Sequence, residues 1–500
     1  AARLPFGARG AAPSSGAAAV AAATADVRHG GPLPSELARQ IPGSDAQILQ
    51  FLLRFMDGEG LGAVPVFING GYVRDLLLGK EPDDLDLSIC LRGCAEAVTV
   101  AGLLEKLPAF AAARPDLGIT EVKLATILSN ESKSKQLDTF TAHFTDAAGT
   151  KTEVDVMPTI GEERYGDDNR VPIRDQRGEP EQDALRRDLT IGAMLLRVAM
   201  APGGGGLAYE LLDFYGGVED LTRAVLRSPC PRGTGVEEVR SVVLRTPAER
   251  TLAAALGVDA APEGEALQTL WWAKVLMDDP LRVCRALRFA AKLRFDVHET
   301  FWVAVPFSLD ALRQKVAGNR KNTEYLKLAS YGFAACRAFM EVAFGRAFGA
   351  QGDSRLAPAL FGGQDGKGRA QAMADVANFD VQAFRDVAAE LSGVTDVSEL
   401  LGGTLAIAIA TAELGAGAKT PREEYSRACD GLCVSNAVRE AGAATLQASE
   451  QLAAAPAPPG RLERGIAAAC GVSEEDFCLH AHVWGALELC APRAGPAGAW

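Results

Sequence analysis

Five hundred residues, 48% of them hydrophobic and 23% charged, exclude disorder as the main state and leave room for more than one core. The 51 Lys and Arg against 64 Asp and Glu give a net charge of −13, the wrong sign for a protein that grips nucleic acid through overall charge, though a local basic face is still allowed. No apolar run approaches the roughly 20 residues of a membrane-spanning helix, and the ten cysteines, scattered without a CxxC pair, fit free thiols in a reducing, intracellular compartment.

Residues 1–42 form a separate N-terminal segment whose first 35 or so residues are Ala-rich, with Arg3, Arg9 and Arg28 against the single acid Asp26 and with Ser14 and Ser15. Such a composition suits a disordered tail or an organellar transit segment. The apolar spacing of Ile48, Leu49, Phe51, Leu52 and Phe55 predicts a helix over 46–56. A strand is expected at 64–68, a turn at Asn69, Gly70 and Gly71, a helix over 72–78 ending at Gly79, and a strand over 84–89, where acid and apolar residues alternate. A further strand is expected at 152–157, a helix over 183–198, a Gly-rich loop at 201–206 and an insertion at 228–269. From Asp278 onward the signals are helical, with breaks near 349–368 and 452–460. The fold class expected is therefore α+β: an α/β head over 43–215, a helical neck over 216–330 and a helical body over 331–500.

Four segments carry chemistry. In INGGYVRDLLLGKEPDDLDL, residues 68–87, Gly70 and Gly71 let the backbone approach a phosphate at a helix start. Arg74 stands one turn in. Asp84 and Asp86 project from one face of a strand, and paired hard oxygen donors of this kind suit Mg²⁺ or Mn²⁺ bridging substrate phosphates. The absence of GxGxxG argues against a dinucleotide fold. In DALRRDLTIGAM, residues 183–194, Arg186, Arg187 and Asp188 cluster near the expected helix start.

In DDPLRVCRALRFAAKLRF, residues 278–295, Pro280 after Asp279 is a good helix start. Arg282, Arg285, Arg288 and Lys292 fall within roughly a 120° arc, opposite Val283, Leu287, Ala290 and Ala291. Five bases and no acid stand between 282 and 294, a density that calls for an anionic counterpart such as a triphosphate or RNA backbone. In KVAGNRKNTE, residues 315–324, Arg320 and Glu324 are spaced as an i,i+4 helix pair. Cys90/Cys94 and Cys429/Cys433 are single CxxxC pairs best placed in a core, and Cys470, Cys478, His480 and His482 lack structural-zinc spacing.

In this order the four segments resemble the class II tRNA nucleotidyltransferase / poly(A) polymerase family, especially its eukaryotic CCA-adding members, over roughly residues 45–330. The resemblance implies a polymerase β-like nucleotidyltransferase head and, as partners, the tRNA 3′ end with CTP and ATP. It implies metal binding at Asp84 and Asp86, with Asp155 as a third carboxylate, and nucleotide contacts at Gly71, Arg74, Arg187 and Asp188. By the same resemblance Asp279 and Arg282 select the base, Arg285 and Arg288 hold the triphosphate, and Lys315, Arg320 and Glu324 form a further motif whose usual Ser is Ala317. The family's Asn after R-R-D-x-T-x is Gly192 in this chain, which removes a side-chain amide and implies reduced activity or narrowed nucleotide choice. The Arg usual after Asp155 is also missing. A poly(A)-adding relative and a catalytically weak RNA-binding paralogue are the rival functions. A mitochondrial or plastid site stands beside the cytoplasm and nucleus, and oligomeric state is open.

Overall fold

The computed structural model describes residues 30–125, 140–161, 163–164, 173–174, 177–203, 205–231, 264–329 and 356–361, with isolated positions between 250 and 343. Residues 1–29, most of the expected insertion, the Cys429/Cys433 pair, the cluster at 470–482 and nearly all of 331–500 lie outside the described residues. The chain divides into two units, one ending at Thr234 and the other running from Gly235.

The first unit begins with β1 (Gly31–Pro32) and α1 (Gly43–Gly58). Ile48, Leu49, Phe51, Leu52, Phe55 and Met56 of α1 are buried while Gln50, Arg54 and Asp57 face water, the apolar stripe expected of a helix laid on a sheet. Phe51 and Phe55 meet Phe110 edge-on at 5.3 Å, and Phe51 meets Phe144 at 6.0 Å. Next come β2 (Val66–Ile68), α2 (Gly70–Leu77) and β3 (Leu85–Ile89), close to the boundaries expected for this strand–turn–helix–strand unit.

Two strands that the sequence did not announce follow, β4 (Ile119–Ala125) and β5 (Phe140–Asp146), and then β6 (Lys151–Pro158). The helix expected over 183–198 is corrected. Helix α3 covers Pro180–Leu185, a 3₁₀ turn covers Thr190–Gly192, and Leu195–Met200 forms strand β7. The Leu/Arg/Val/Ala alternation of β7 satisfies a strand once β2 and β8 (Leu207–Leu212) pair on either side, and that pairing overrides the helical propensity of the segment. The Gly-rich loop at 201–206 joins β7 to β8. Helix α4 (Gly217–Arg223) is held by Asp213, whose carboxylate accepts from Gly217 N at 2.7 Å and Val218 N at 2.9 Å.

The eight strands form one sheet in the order β1-β8-β7-β2-β3-β6-β5-β4. All neighbours are antiparallel except β3 and β6, which run parallel with Asp86 opposite Asp155.

In the second unit the described helices are α5 (Glu265–Asp278), α6 (Arg282–Leu293), α7 (Glu299–Ala304), α8 (Leu309–Lys315) and α9 (Gly318–Ala329), with a short helix at Leu356–Phe361. Trp272 of α5 packs on Phe301 at 5.1 Å, and Phe301 on Trp302 at 4.9 Å. Among the described residues no helix is long and apolar enough to cross a membrane, and Cys90, Cys94, Cys230 and Cys284 are free thiols, with Cys90 buried as expected and Cys94 half-buried.

The loop that leaves β3 is gathered around one guanidinium. Arg177 donates through Nη1 to the carbonyls of Leu91 and Cys94 at 3.0 Å, and through Nη2 to those of Ala95 and Glu96 at 3.1 Å and Val98 at 3.0 Å. Replacing Arg177 by Ala strands these carbonyls, and the expected cost is about 2 kcal/mol in urea unfolding; a loss below about 0.5 kcal/mol, the level of an ordinary surface change, would show the loop to be held by other contacts.

Candidate active site

Asp86 on β3 and Asp155 on β6 stand side by side because the two strands are parallel and in register at this pair. Asp84 precedes β3 and is exposed, while Asp86 and Asp155 are half-buried. Burial, then the negative charges of Asp155 and Asp84, push the Asp86 carboxyl up to about 6, with Arg187 pulling the other way. Thr141 on β5, opposite Asp155 in the ladder, donates its hydroxyl to Asp155 Oδ1 at 2.6 Å and fixes that carboxylate. The three expected acids therefore lie in one electrostatic neighbourhood. Among the described residues no three His, Cys, Asp or Glu side chains close on one point as a metal cage would. The donor set nevertheless suits a hard divalent cation, since mutual repulsion of oxygen ligands is what such an ion relieves.

The Gly70–Gly71 turn lies at the same end of the central strands, the Asn69 N–H before it donating to the Asp86 carbonyl at 2.8 Å. A Cβ on Gly70 would sit 2.0 Å from the Gly192 carbonyl oxygen, so only glycine allows α2 to back onto the 3₁₀ turn. At Gly71 a Cβ would meet nothing within 4 Å, and the residue is exposed. Of the two glycines, then, Gly70 serves packing and Gly71 leaves the helix start open to a ligand. Arg74 does not reach outward as expected from the sequence. It is 6% exposed and grips the Asp75 carboxylate through Nε at 2.8 Å and Nη2 at 2.6 Å, because one turn into a helix packed on a sheet the side chain points to the core.

Arg187 is positioned by a residue that sequence reasoning passed over. Asp183, fully buried, accepts from Ile160 N at 3.1 Å, from Arg186 Nε at 2.8 Å and from Arg187 Nη2 at 2.8 Å. Its burial would raise its pKa, but Arg187 and Arg186 overcome this and lower it to about 2. Burial works against the charge of Arg187, yet Asp183, Asp188 and Asp86 keep its pKa raised. The signal for Asp183 was available: an acid followed by Arg at i+3 and i+4. These residues lie at the end of α3 and beyond it, not at a helix start; the start is capped instead by a Glu179/Gln182 box with Pro180 at N1. Arg187, Asp188 and the acids of β3 and β6 thus belong to one end of this unit.

In the second unit, the buried stripe of α6 contains Val283, Leu287, Ala290 and Ala291 as expected. The counter-charge for its bases is partly internal. Arg288 is 8% exposed, donates to Glu324 Oε2 at 2.6 Å and lies 4.3 Å from the Phe289 ring centroid. Arg285, more exposed, stands 3.8 Å from Glu324 Oε1. Glu324 therefore pairs with α6 and not with Arg320, and Arg288, expected as a triphosphate contact, is buried against it. Arg320 turns to Asp279 at 3.4 Å. Asp279 Oδ1 also accepts from Leu281 N at 3.3 Å, which starts α6 at Arg282, two residues beyond Pro280. Arg282 donates to the Val275 carbonyl at 3.1 Å. Lys315 ends α8 and is exposed.

Residues 66–227 match the family described as the poly A polymerase head domain. The mitochondrial CCA tRNA nucleotidyltransferase of Candida glabrata is 30% identical over 266 residues, covering 52% of this chain and 38% of that protein. The corresponding mitochondrial protein of Saccharomyces cerevisiae is 32% identical over 231 residues, covering 46% and 31%. This chain thus spans well under half the length of these curated relatives. A solved CCA-adding enzyme in an apo form superposes with a TM-score of 0.55 at 19% identity, over 93% of this chain and 85% of that one, a likeness of fold.

Two outcomes follow from the charges. A carboxyl whose folded pKa lies near 6, above its unfolded value near 4, stabilises the fold only at low pH and loses that contribution as pH rises through about 6. Without divalent metal, Asp86→Asn should therefore melt above wild type at pH 8, and the gap should close by pH 4; equal melting at both pH values would show that Asp86 is not strained. Glu324→Ala leaves the buried Arg288 without a charged partner and should cost about 3 kcal/mol, seen as a lowered melting temperature.

Proposed function

We propose, from a head that over residues 66–227 belongs to the poly A polymerase head-domain family, that this chain is an RNA 3′-end nucleotidyltransferase adding CCA to tRNA from CTP and ATP. The observation that carries the reading is the Asp86–Asp155 pair on parallel strands, with Arg187 acting on Asp86 from the opposite sign of charge. Curated relatives named for CCA addition to tRNA support the substrate over poly(A) addition.

Asp84 and Asp86, with Asp155 beside them, would hold Mg²⁺ or Mn²⁺. Such an ion, when bound, lowers the pKa of an attacking hydroxyl and neutralises phosphate charge. The chain's own residues supply the rest. The open first turn of α2 at Gly71 presents backbone N–H groups to the triphosphate. Arg187, held by Asp183, faces the same end and would offset charge on the departing pyrophosphate as the RNA 3′-hydroxyl attacks the α-phosphate. Asp279 and Arg282 offer an acceptor and donors that suit the edges of cytosine and adenine, leaving groups of guanine or uracil unpaired. Of the two arginines beside Glu324, Arg285 is the more exposed and Arg288 the buried one. The mitochondrial relatives and the basic, Ala-rich composition of residues 1–29 support an organellar address; residues from Gly31 on belong to the folded head.

Purified chain given tRNA lacking its CCA end, with Mg²⁺, should add C residues from CTP alone and complete CCA when ATP is supplied. Asp86→Ala should lower incorporation by at least about 10³-fold, since the metal term is among the largest in such transfers. Long runs of AMP from ATP alone would overturn CCA addition in favour of poly(A) addition. RNA binding without incorporation would favour the paralogue reading. A Cβ at Gly192 meets nothing within 4 Å, so the position has room for a Cβ, and Gly192→Asn should raise turnover if the missing amide limits it.

A further inference from the structure

Asn69 joins β2 to the Gly70–Gly71 turn and is 2% exposed. Its backbone N–H donates to the Asp86 carbonyl at 2.8 Å. Its Oδ1 accepts from the hydroxyl of Ser88, a buried residue two positions along β3 from Asp86, at 2.9 Å. The remaining group, Nδ2, is buried and has no partner. An amide NH₂ kept dry without an acceptor is costly, and native proteins seldom leave one unmatched without a functional reason.

A second observation points the same way. Asn69 is the N-cap of α2, where an asparagine ordinarily turns its oxygen onto the first-turn N–H groups. It makes no such cap, because the oxygen is given to Ser88. Donors of two kinds are thereby left without a side-chain acceptor at one corner: the first-turn N–H groups of α2 and the Asn69 amide, next to exposed Gly71. The corner asks for an anion rich in acceptors.

We propose that Asn69 is a nucleotide-contacting residue, its Nδ2 donating to a phosphate oxygen of the incoming nucleoside triphosphate; this rests on the nucleotidyltransferase reading above. Calorimetric titration of the full chain with CTP and with ATP, in Mg²⁺, tests it on wild type, Asn69→Ala and Asn69→Asp, each checked by its melting temperature. Asn69→Ala should weaken binding about 10-fold, the scale of one hydrogen bond to a charged group. Asn69→Asp keeps the volume and the Ser88 bond but sets a negative charge against phosphate, and should weaken it further, to about 100-fold. A purely structural role predicts the reverse order, with Asp the milder change, and that order would overturn the assignment. So would affinity within twofold of wild type for both variants. A wild-type chain binding neither nucleotide would refute the nucleotidyltransferase reading itself, and this assignment with it.

Discussion

The head is organised around a repulsion. Parallel pairing of β3 with β6 sets Asp86 opposite Asp155, an arrangement that a sheet built for stability alone would avoid, since like charges facing across a ladder are unfavourable. Everything nearby tempers that conflict without removing it. Thr141 holds Asp155 in place, Arg187 offsets part of the charge on Asp86, and Asp183 keeps Arg187 pointed there at the expense of two arginines sharing one buried carboxylate. The strain is local, and it lies where a divalent cation and a polyphosphate would relieve it.

Much of this was legible in the residues. The strand–turn–helix–strand unit from 66 to 89 announced itself by alternation and by the Gly-Gly turn, and Asp155 could be placed on a strand. What could not be read was pairing. Strand β5 does alternate, Phe140, Ala142 and Phe144 against Thr141, His143 and Thr145, a short signal passed over, whereas β4 alternates weakly and is fixed by its ladder with β5; β7 has a composition that would serve a helix as well. The choice of side-chain partner was hidden for the same reason. Glu324 looked like a partner for Arg320 four residues away, and the packing of α9 against α6 gave it to Arg288 instead. Arg74 and Arg288 illustrate one rule: an arginine motif marks charge, and only burial decides whether the charge faces a ligand or the fold.

That rule also reframes the charge balance. Residues 271–325 hold 10 bases against 6 acids within a chain of net −13, yet part of that local surplus is spent on internal pairs. Arg288 is held by Glu324, Arg282 by the Val275 carbonyl and Arg320 by Asp279, so the count of arginines overstates what the segment offers an anion.

The strand order of the sheet carries a consequence for how the protein comes into being. Strand β2, made early, is bordered by β7 some 130 residues later, and β1 is completed only by β8, with Gly31 opposite Leu211. Asp86 on β3 and Asp84 just before it lie beside that late-filled centre. No nascent chain shorter than about residue 212 can close the sheet around them, so synthesis must run through β8 before the head can form as a unit, and the many distant pairings favour slow folding over rapid local collapse.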